Sequence, residues 1–194
     1  MQSGVRKMAE SKPNIWKGLA AGLAAGIAAT LVMDQFQKGA AKATQAADIA
    51  ARRAKGQSEG RILTEQHQQE EEQQNDEGSI GKVARVVVHT ATGKTLYGEQ
   101  KRRAGLAVHY TFGTLMGVLY GGLTEYFPPA ASGGGSAYGT LLFLGADEAA
   151  VPALGLSPTP ANTPIASHLQ HWTAHIVYGT TAELVRSGVR RMLR

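Results

Sequence analysis

The sequence predicts an all-α fold: an integral membrane bundle of four transmembrane helices, with a polar, partly helical insertion between helices 1 and 2. Three observations lead there. Gly18, Gly22 and Gly26 recur at every fourth position in one apolar run, and Gly113, Gly117 and Gly121 do the same in another. Residues four apart share one face of an α-helix, so each run carries a ridge without side chains, along which a second helix can approach to backbone distance. In water, glycine weakens a helix interior by about 1 kcal/mol relative to alanine, whereas in lipid small residues at this spacing form a common association face. Next, the basic residues gather at the edges of apolar runs: Arg6, Lys7, Lys12 and Lys17 before the first, Lys101 to Arg103 before the second, Arg186 to Arg194 after the last. Membrane proteins keep lysine and arginine there. Finally, the links Ala130 to Ser136 and Ser157 to Pro164 are short, uncharged and rich in Gly, Ser or Pro, as connections between adjacent helices should be.

Residues 1–14 read as a polar tail, and 15–37 as transmembrane helix 1. Its apolar run, Ile15 to Met33, ends at Asp34 and at ~1.5 Å per residue just crosses a hydrocarbon core of ~30 Å. Trp16 beside Lys17 is placed as an interfacial anchor. The basic flank also suits a cleaved signal, but Asp34 and a polar amphipathic continuation follow, so the run is expected to remain as a helix. Residues 38–102 form the insertion. Its alanine-rich start, from Gln35 to Lys55, reads as a helix carrying helix 1 beyond the lipid. Glu65 to Glu77 is a Glu/Gln block that reads as solvated helix or disorder. Ile80 to His89 fits a short strand or, preferably, a helix lying on the membrane surface.

Residues 103–194 make a three-helix membrane region with a basic C-terminus. Its spans are 104–127, which stops at Pro128-Pro129; 137–156, interrupted by Asp147-Glu148 and Pro152; and 165–186. Four crossings place both termini on one side, and their basic residues make that side cytoplasmic. If 137–156 only dips in and returns, that parity no longer holds. The side of the membrane holding 38–102 stays open.

The chain has 194 residues, 24 of them glycine, and no cysteine, which excludes disulfides, thiolate metal sites and a cysteine nucleophile. A pI near 9.6 would suit nucleic acid, but the placement of the basic residues argues against it. The mean hydropathy of −0.18 averages a polar insertion with apolar flanks. There is no hydrolase triad, phosphate loop or nucleotide fold; Gly133 to Gly135 lacks the lysine of a P-loop.

An ionisable group within a span is costly and marks a functional candidate. The candidates are Asp34, His109, Glu125, Asp147, Glu148, His171, His175 and Glu183, with His168 beside them. His168, His171 and His175 stand at i, i+3 and i+7 and share a helix face. Together these groups could form a ladder, imidazoles at one end and carboxylates at the centre and other end, able to relay protons. They could equally be polar glue between helices: Glu183, for example, can pair with Arg186 at i+3. As a metal site the set lacks the Glu-x-x-His spacing of di-metal bundles, leaving His109, His171 and His175 as weak ligand candidates. A haem b would need His109 with His171 or His175.

The second half, from about Ala104 to Arg191, resembles the YagU-like family of bacterial inner-membrane proteins. The resemblance rests on His109 before the glycine-bearing helix, Thr124-Glu125-Tyr126-Phe127-Pro128, Val151-Pro152-Ala153-Leu154-Gly155-Leu156, Ala174-His175-Ile176-Val177 and Glu183-Leu184-Val185-Arg186. The Gly-Leu-Ala-Ala-Gly start of run one is similar too. The segment from Lys38 to Gln100 and the pair Asp147-Glu148 depart from the family pattern. The resemblance implies a helical protein of the bacterial inner membrane, with His109, Glu125, His175 and Glu183 at family positions, and no particular reaction.

The expected function is that of a small, non-catalytic structural or accessory membrane protein, a helix-packing subunit of a larger assembly. Its partners are the lipid bilayer and other membrane subunits or a second copy, without nucleic acid. No cofactor is expected. The alternatives are a proton or small-solute pathway through the His/Asp/Glu ladder, and a haem- or metal-binding membrane protein.

Overall fold

The first long helix starts where Asn14 caps it: the Asn14 side-chain oxygen accepts the Lys17 N–H at 3.1 Å, one of the first-turn donors a helix cannot satisfy itself. With no proline and only Gly18, Gly22, Gly26 and Gly39 to weaken it, this helix, α1, runs unbroken from Ile15 to Ala54 and stops just before Gly56, whose φ is +76°. The structure is a computed structural model that describes residues 12–75 and 78–193. The tail with Arg6 and Lys7, the end of the Glu/Gln block and Arg194 lie outside the described residues.

Every element among the described residues is helical. After α1 come α2 (Glu59–Asn75), α3 (Gly78–Thr92) and α4 (Gly98–Tyr126). A kinked 3-10 stretch, Pro128–Gly135, leads into α5 (Ser136–Leu142). A π-helical stretch, Phe143–Ala150, and α6 (Val151–Ala153) continue α5 directly, and α7 (Ile165–Met192) closes the chain. The expected third run therefore occupies 136–153. In the insertion, of the readings left open, the helical ones hold: Glu59–Asn75 and Gly78–Thr92 are both helices, the second covering the segment read as strand or, preferably, surface helix.

Helices α1 and α4 pack antiparallel. A Cβ built on Gly22 would stand 3.0 Å from the Cα atoms of Gly121 and Val118, one on Gly26 2.9 Å from the Cα of Thr114, and one on Gly18 2.6 Å from the Gly121 carbonyl. The backbones thus occupy the space that side chains would need. Helix α7 runs antiparallel to α1 and parallel to α4, as the contacts Lys17 to Leu193 and Tyr120 to Glu183 show. α5 returns along α7 through a second close approach, in which a Cβ on Gly179 would meet the Gly139 Cα at 3.0 Å.

The core between these helices is small and polar for its size. Ala25, Ala29, Met33, Tyr120, Ala174, Tyr178 and Ala182 form it, with Thr30 and His175 also buried. The large apolar side chains point outward instead: Leu23, Ile27 and Leu31 on α1; Leu106, Phe112, Leu115, Leu119 and Leu123 on α4; Leu141 and Leu144 on the third run; Leu169 and Leu184 on α7. Among the described residues, α1 is the one helix long and apolar enough to cross a membrane by its own composition. Helices α4 and α7 fall short because polar residues, such as His109 and Thr111 on α4 and Gln170, His171 and Thr173 on α7, dilute the apolar ones.

Beyond Asp34 the arrangement changes. Residues 35–54 of α1 extend past the bundle as an arm, largely exposed, and α2 folds back on the tip of that arm. Arg52 pairs with Glu65 and with Asp48, Arg53 with Glu59, and Ile62 is buried beneath them. Helix α3 lies on the first turns of α4, with Ala84 buried and the Ile80 side chain 3.7 Å from the Cβ position of Gly105.

Candidate functional site

The antiparallel packing sorts the ionisable groups into two clusters at opposite ends of the bundle. One end collects the N-terminus of α1 and the C-termini of α4 and α7. There Glu125 receives two hydrogen bonds from Arg190, Nε at 2.6 Å and Nη2 at 3.0 Å, and a third from the Asn14 N–H at 2.8 Å. Both side chains of that ion pair are under one-tenth exposed. One and two turns earlier on α7, Arg186 grips Glu183 in the same two-pronged way, at 2.7 and 2.8 Å, while the Tyr120 hydroxyl donates to Glu183 at 2.7 Å. Lys17 donates to the Leu193 carbonyl at 2.6 Å and so caps the C-terminus of α7. Paired guanidinium and carboxylate planes of this kind fix geometry as much as they contribute energy.

The other end collects Asp34, His109, Asp147, Glu148, His168, His171 and His175. The π-helical stretch widens the third run where Asp147 and Glu148 emerge, and aims both carboxylates at α7. Asp147 faces two imidazoles, His171 at 3.5 Å and His175 at 3.8 Å, and Glu148 meets His168 at 2.6 Å. His175 is buried, its Nδ1 donating to the His171 carbonyl at 2.9 Å and its ring 5.8 Å from that of Phe143. His109 of α4 stands within electrostatic reach of His175, Asp147 and Asp34. Asp34 accepts from Lys38 at 2.7 Å and from the Tyr110 hydroxyl at 3.3 Å. Asp147 and Glu148 therefore belong to the imidazole end and leave the middle of the bundle without carboxylates. Among the described residues no three His, Cys, Asp or Glu side chains are grouped so as to hold a metal ion.

Between the ends stands a column of tyrosines that sequence reasoning missed. Tyr178 donates to the Gly113 carbonyl at 2.5 Å, Tyr138 to the Met116 carbonyl at 2.8 Å, and Tyr120 to Glu183, with the Tyr120 and Tyr138 rings 4.5 Å apart. In an apolar run a tyrosine reads as an interfacial anchor, so nothing in the sequence marked these as core. The partnership of Glu125 with Arg190, 65 positions away, was equally invisible. The Gly135, Gly139 and Gly179 contact did carry a signal, the i to i+4 spacing of its first two members, but a loop splits that ladder.

The six glycines of the two ladders face one another inside the chain. Gly117 and Gly121 sit against Gly26 and Gly22, and Gly113 against Thr30. None of the six presents a bare ridge to the outside.

Over residues 69–184 the sequence matches the family described as a protein of unknown function, DUF1440. That stretch holds α3, α4, the third run, most of α7 and every candidate ionisable group except Asp34 and the arginine partner of Glu125. Neither the curated proteins nor the solved structures contain a match to the chain. With more than half of its length inside the matched region, the chain belongs to the DUF1440 family.

Proposed function

We propose that this protein is a multi-pass bundle of the bacterial inner membrane with a structural or accessory role rather than a catalytic one, meeting its partner through the projecting arm. The observation that carries the membrane part is the inverted distribution of side chains. Alanine, glycine, threonine and tyrosine fill the interior, and Leu, Ile and Phe cover the outside of α1, α4, the third run and α7. Monomers in water rarely expose apolar surface this continuous, whereas lipid favours small residues between helices and large apolar ones around them. Trp16, Tyr126 and Phe127 are exposed together at one end of the belt, the position of an interfacial aromatic ring. On this reading α1, α4, the third run and α7 all cross, both termini are cytoplasmic, and the narrower kinship is to YagU-like inner-membrane proteins.

The accessory role follows from what is left free. The glycine ridges are used within the chain, so they no longer serve as the partner's docking face. The arm of α1 and the Glu/Gln-rich α2 extend into water and make few contacts with the bundle. Two measurements test the two parts. Membranes washed with alkaline carbonate should retain the chain, and extraction should need detergent; a monodisperse protein in plain buffer overturns the membrane reading. Purification in mild detergent should bring a stoichiometric partner that is lost when residues 59–75 are replaced by a Gly/Ser linker while the helical signal of the bundle persists. A partner retained by that variant overturns α2, folded back on the arm, as its docking site.

A second reading, a proton or solute path, draws support from the tyrosine column linking the imidazole end to Glu183. It predicts that a pH gradient across proteoliposomes decays faster with the wild type than with Asp147→Asn. Equal decay counts against it.

A further inference from the structure

His168 has an acceptor at each of its two ring nitrogens. Nδ1 lies 2.6 Å from Glu148 Oε1, and Nε2 lies 3.1 Å from the Pro160 carbonyl oxygen. A neutral imidazole carries one N–H and one lone pair; only the imidazolium has two donors. With Glu148 ionised, both bonds therefore form together only when the ring is protonated. One of them crosses to the π-helical stretch, and the other reaches back to the loop between α6 and α7.

That loop has little else to hold it. Its other hydrogen bonds among the described residues are local, such as Asn162 Nδ2 to Thr159 Oγ1 at 3.0 Å and the backbone bonds of Gly155, Leu156, Asn162 and Thr163. It contains no charged residue from Leu154 to Pro164, and all of these residues are at least partly exposed. The charged and titratable groups around His168 are Glu148 and Asp147 from the π-helical stretch and His171 and His175 from α7 itself. His109 of α4 and Asp34 of α1 stand behind His175.

We propose that His168 is a proton-operated latch that fastens the 154–164 loop across the imidazole end of the bundle. When the ring loses a proton, the nitrogen facing the carboxylate keeps its hydrogen, because that bond is the stronger. The proton leaves from Nε2, whose lone pair then opposes the Pro160 oxygen. The loop tether opens, and the neutral ring stays against Glu148. The latch is closed below the pKa of His168 in the folded protein and opens as the pH rises through it. Opening frees the loop from the end at which Asp147, His171 and His175 meet. This device does not depend on the membrane or accessory reading, since it needs only the local geometry.

The absence of cysteine makes the test direct. A single cysteine at Ala161 carries a spin label in the otherwise complete chain, and a second protein carries the label at Thr181 on α7 as a reference. Label mobility is followed from about pH 5 to about pH 9, the range in which imidazoles titrate. The label at 161 should be held at the acid end and become mobile through one transition, while the label at 181 stays constant. Glu148→Gln should move that midpoint down by at least about one pH unit, tenfold in proton affinity. His168→Gln should leave the loop mobile throughout. A loop equally mobile across the whole range in the wild type overturns the latch. A transition whose midpoint Glu148→Gln leaves unmoved overturns it as well, and this does not depend on how well His168→Gln folds.

Discussion

Residues 15–33 and 35–54 belong to one uninterrupted helix, yet its two halves are held in different ways. The first half meets α4 backbone against backbone, with Gly22 and Gly26 against Gly117 and Gly121. The second half leaves the bundle after Phe36, which still packs on the core, and meets α2 through Arg52, Arg53, Glu59 and Glu65 on the surface. Close packing tolerates no added atom, because the space is already filled. Exposed ion pairs tolerate many changes and contribute little each, because water and salt screen them. The comparison teaches that identical helical geometry can be brittle at one end and forgiving at the other, depending on what lies across from it.

The largest effect should come from adding a side chain where the backbones meet. Gly22→Leu collides with Gly121 and Val118 and should cost on the order of 3 kcal/mol or prevent folding. Gly39→Leu, on the arm with nothing within 4 Å of its Cβ position, should cost nothing and gain about 0.5 kcal/mol or slightly more through helix propensity. Thermal unfolding in detergent followed by circular dichroism compares the two, and similar losses would erase the contrast.

Next comes the ion pair at the base of the bundle. Glu125→Gln leaves Arg190 poorly matched where both side chains are under one-tenth exposed, and should cost about 2–3 kcal/mol in the same assay. Neutralising Glu59 on α2, which pairs with Arg53 of the arm, should cost less than about 1 kcal/mol. Tyr120→Phe removes the hydroxyl that donates to Glu183 and should cost about 1.5 kcal/mol. Gly39→Ala should act in the opposite direction and stabilise the arm by about 0.5–1 kcal/mol, through helix propensity alone.

The smallest effects should follow pH and salt in the outer layer. Arg61, with help from Arg52, holds the Glu65 carboxyl below its ordinary range. Arg102, followed by Arg103, holds Glu99 at the start of α4 down to about 2 from 4.5. Carboxyls depressed in the folded state contribute fully above their unfolded pKa and lose that contribution as the pH falls through the folded value. The contact between α2 and the arm should therefore loosen below about pH 4.5 and also in about 1 M salt. Spin labels at residues 46 and 63 would report this as a broadened distance distribution. Labels on α1 and α4 inside the bundle should not respond, and equal broadening in both places would show that the halves are not held differently.

The sequence made one of these regions legible and the other only in outline. The spacing of Gly18, Gly22, Gly26, Gly113, Gly117 and Gly121 is periodic, and periodicity survives in a string of letters. The alanine-rich continuation of α1 was likewise readable from propensity. Partnerships over long separations were not: Glu125 with Arg190, Tyr120 with Glu183 and Tyr178 with Gly113 arise only once α4 and α7, parallel to each other, are set side by side. The placement of Asp147 and Glu148 was misjudged for a local reason. A π-helical stretch shifts the register of everything after it, and no composition announces one. The run covers only 136–153 and ends beside the first turns of α7, so those carboxylates meet His168, His171 and His175.

The continuity of α1 from Ile15 to Ala54 also gives the molecule a lever. Its 40 residues span about 60 Å, and roughly half of that length stands beyond the packed half. A tilt of about 10° at the fulcrum near Asp34 would sweep the tip through about 5 Å, one turn of helix. With no hinge in between, small adjustments among α1, α4 and α7 are delivered, amplified, to whatever grips the far end.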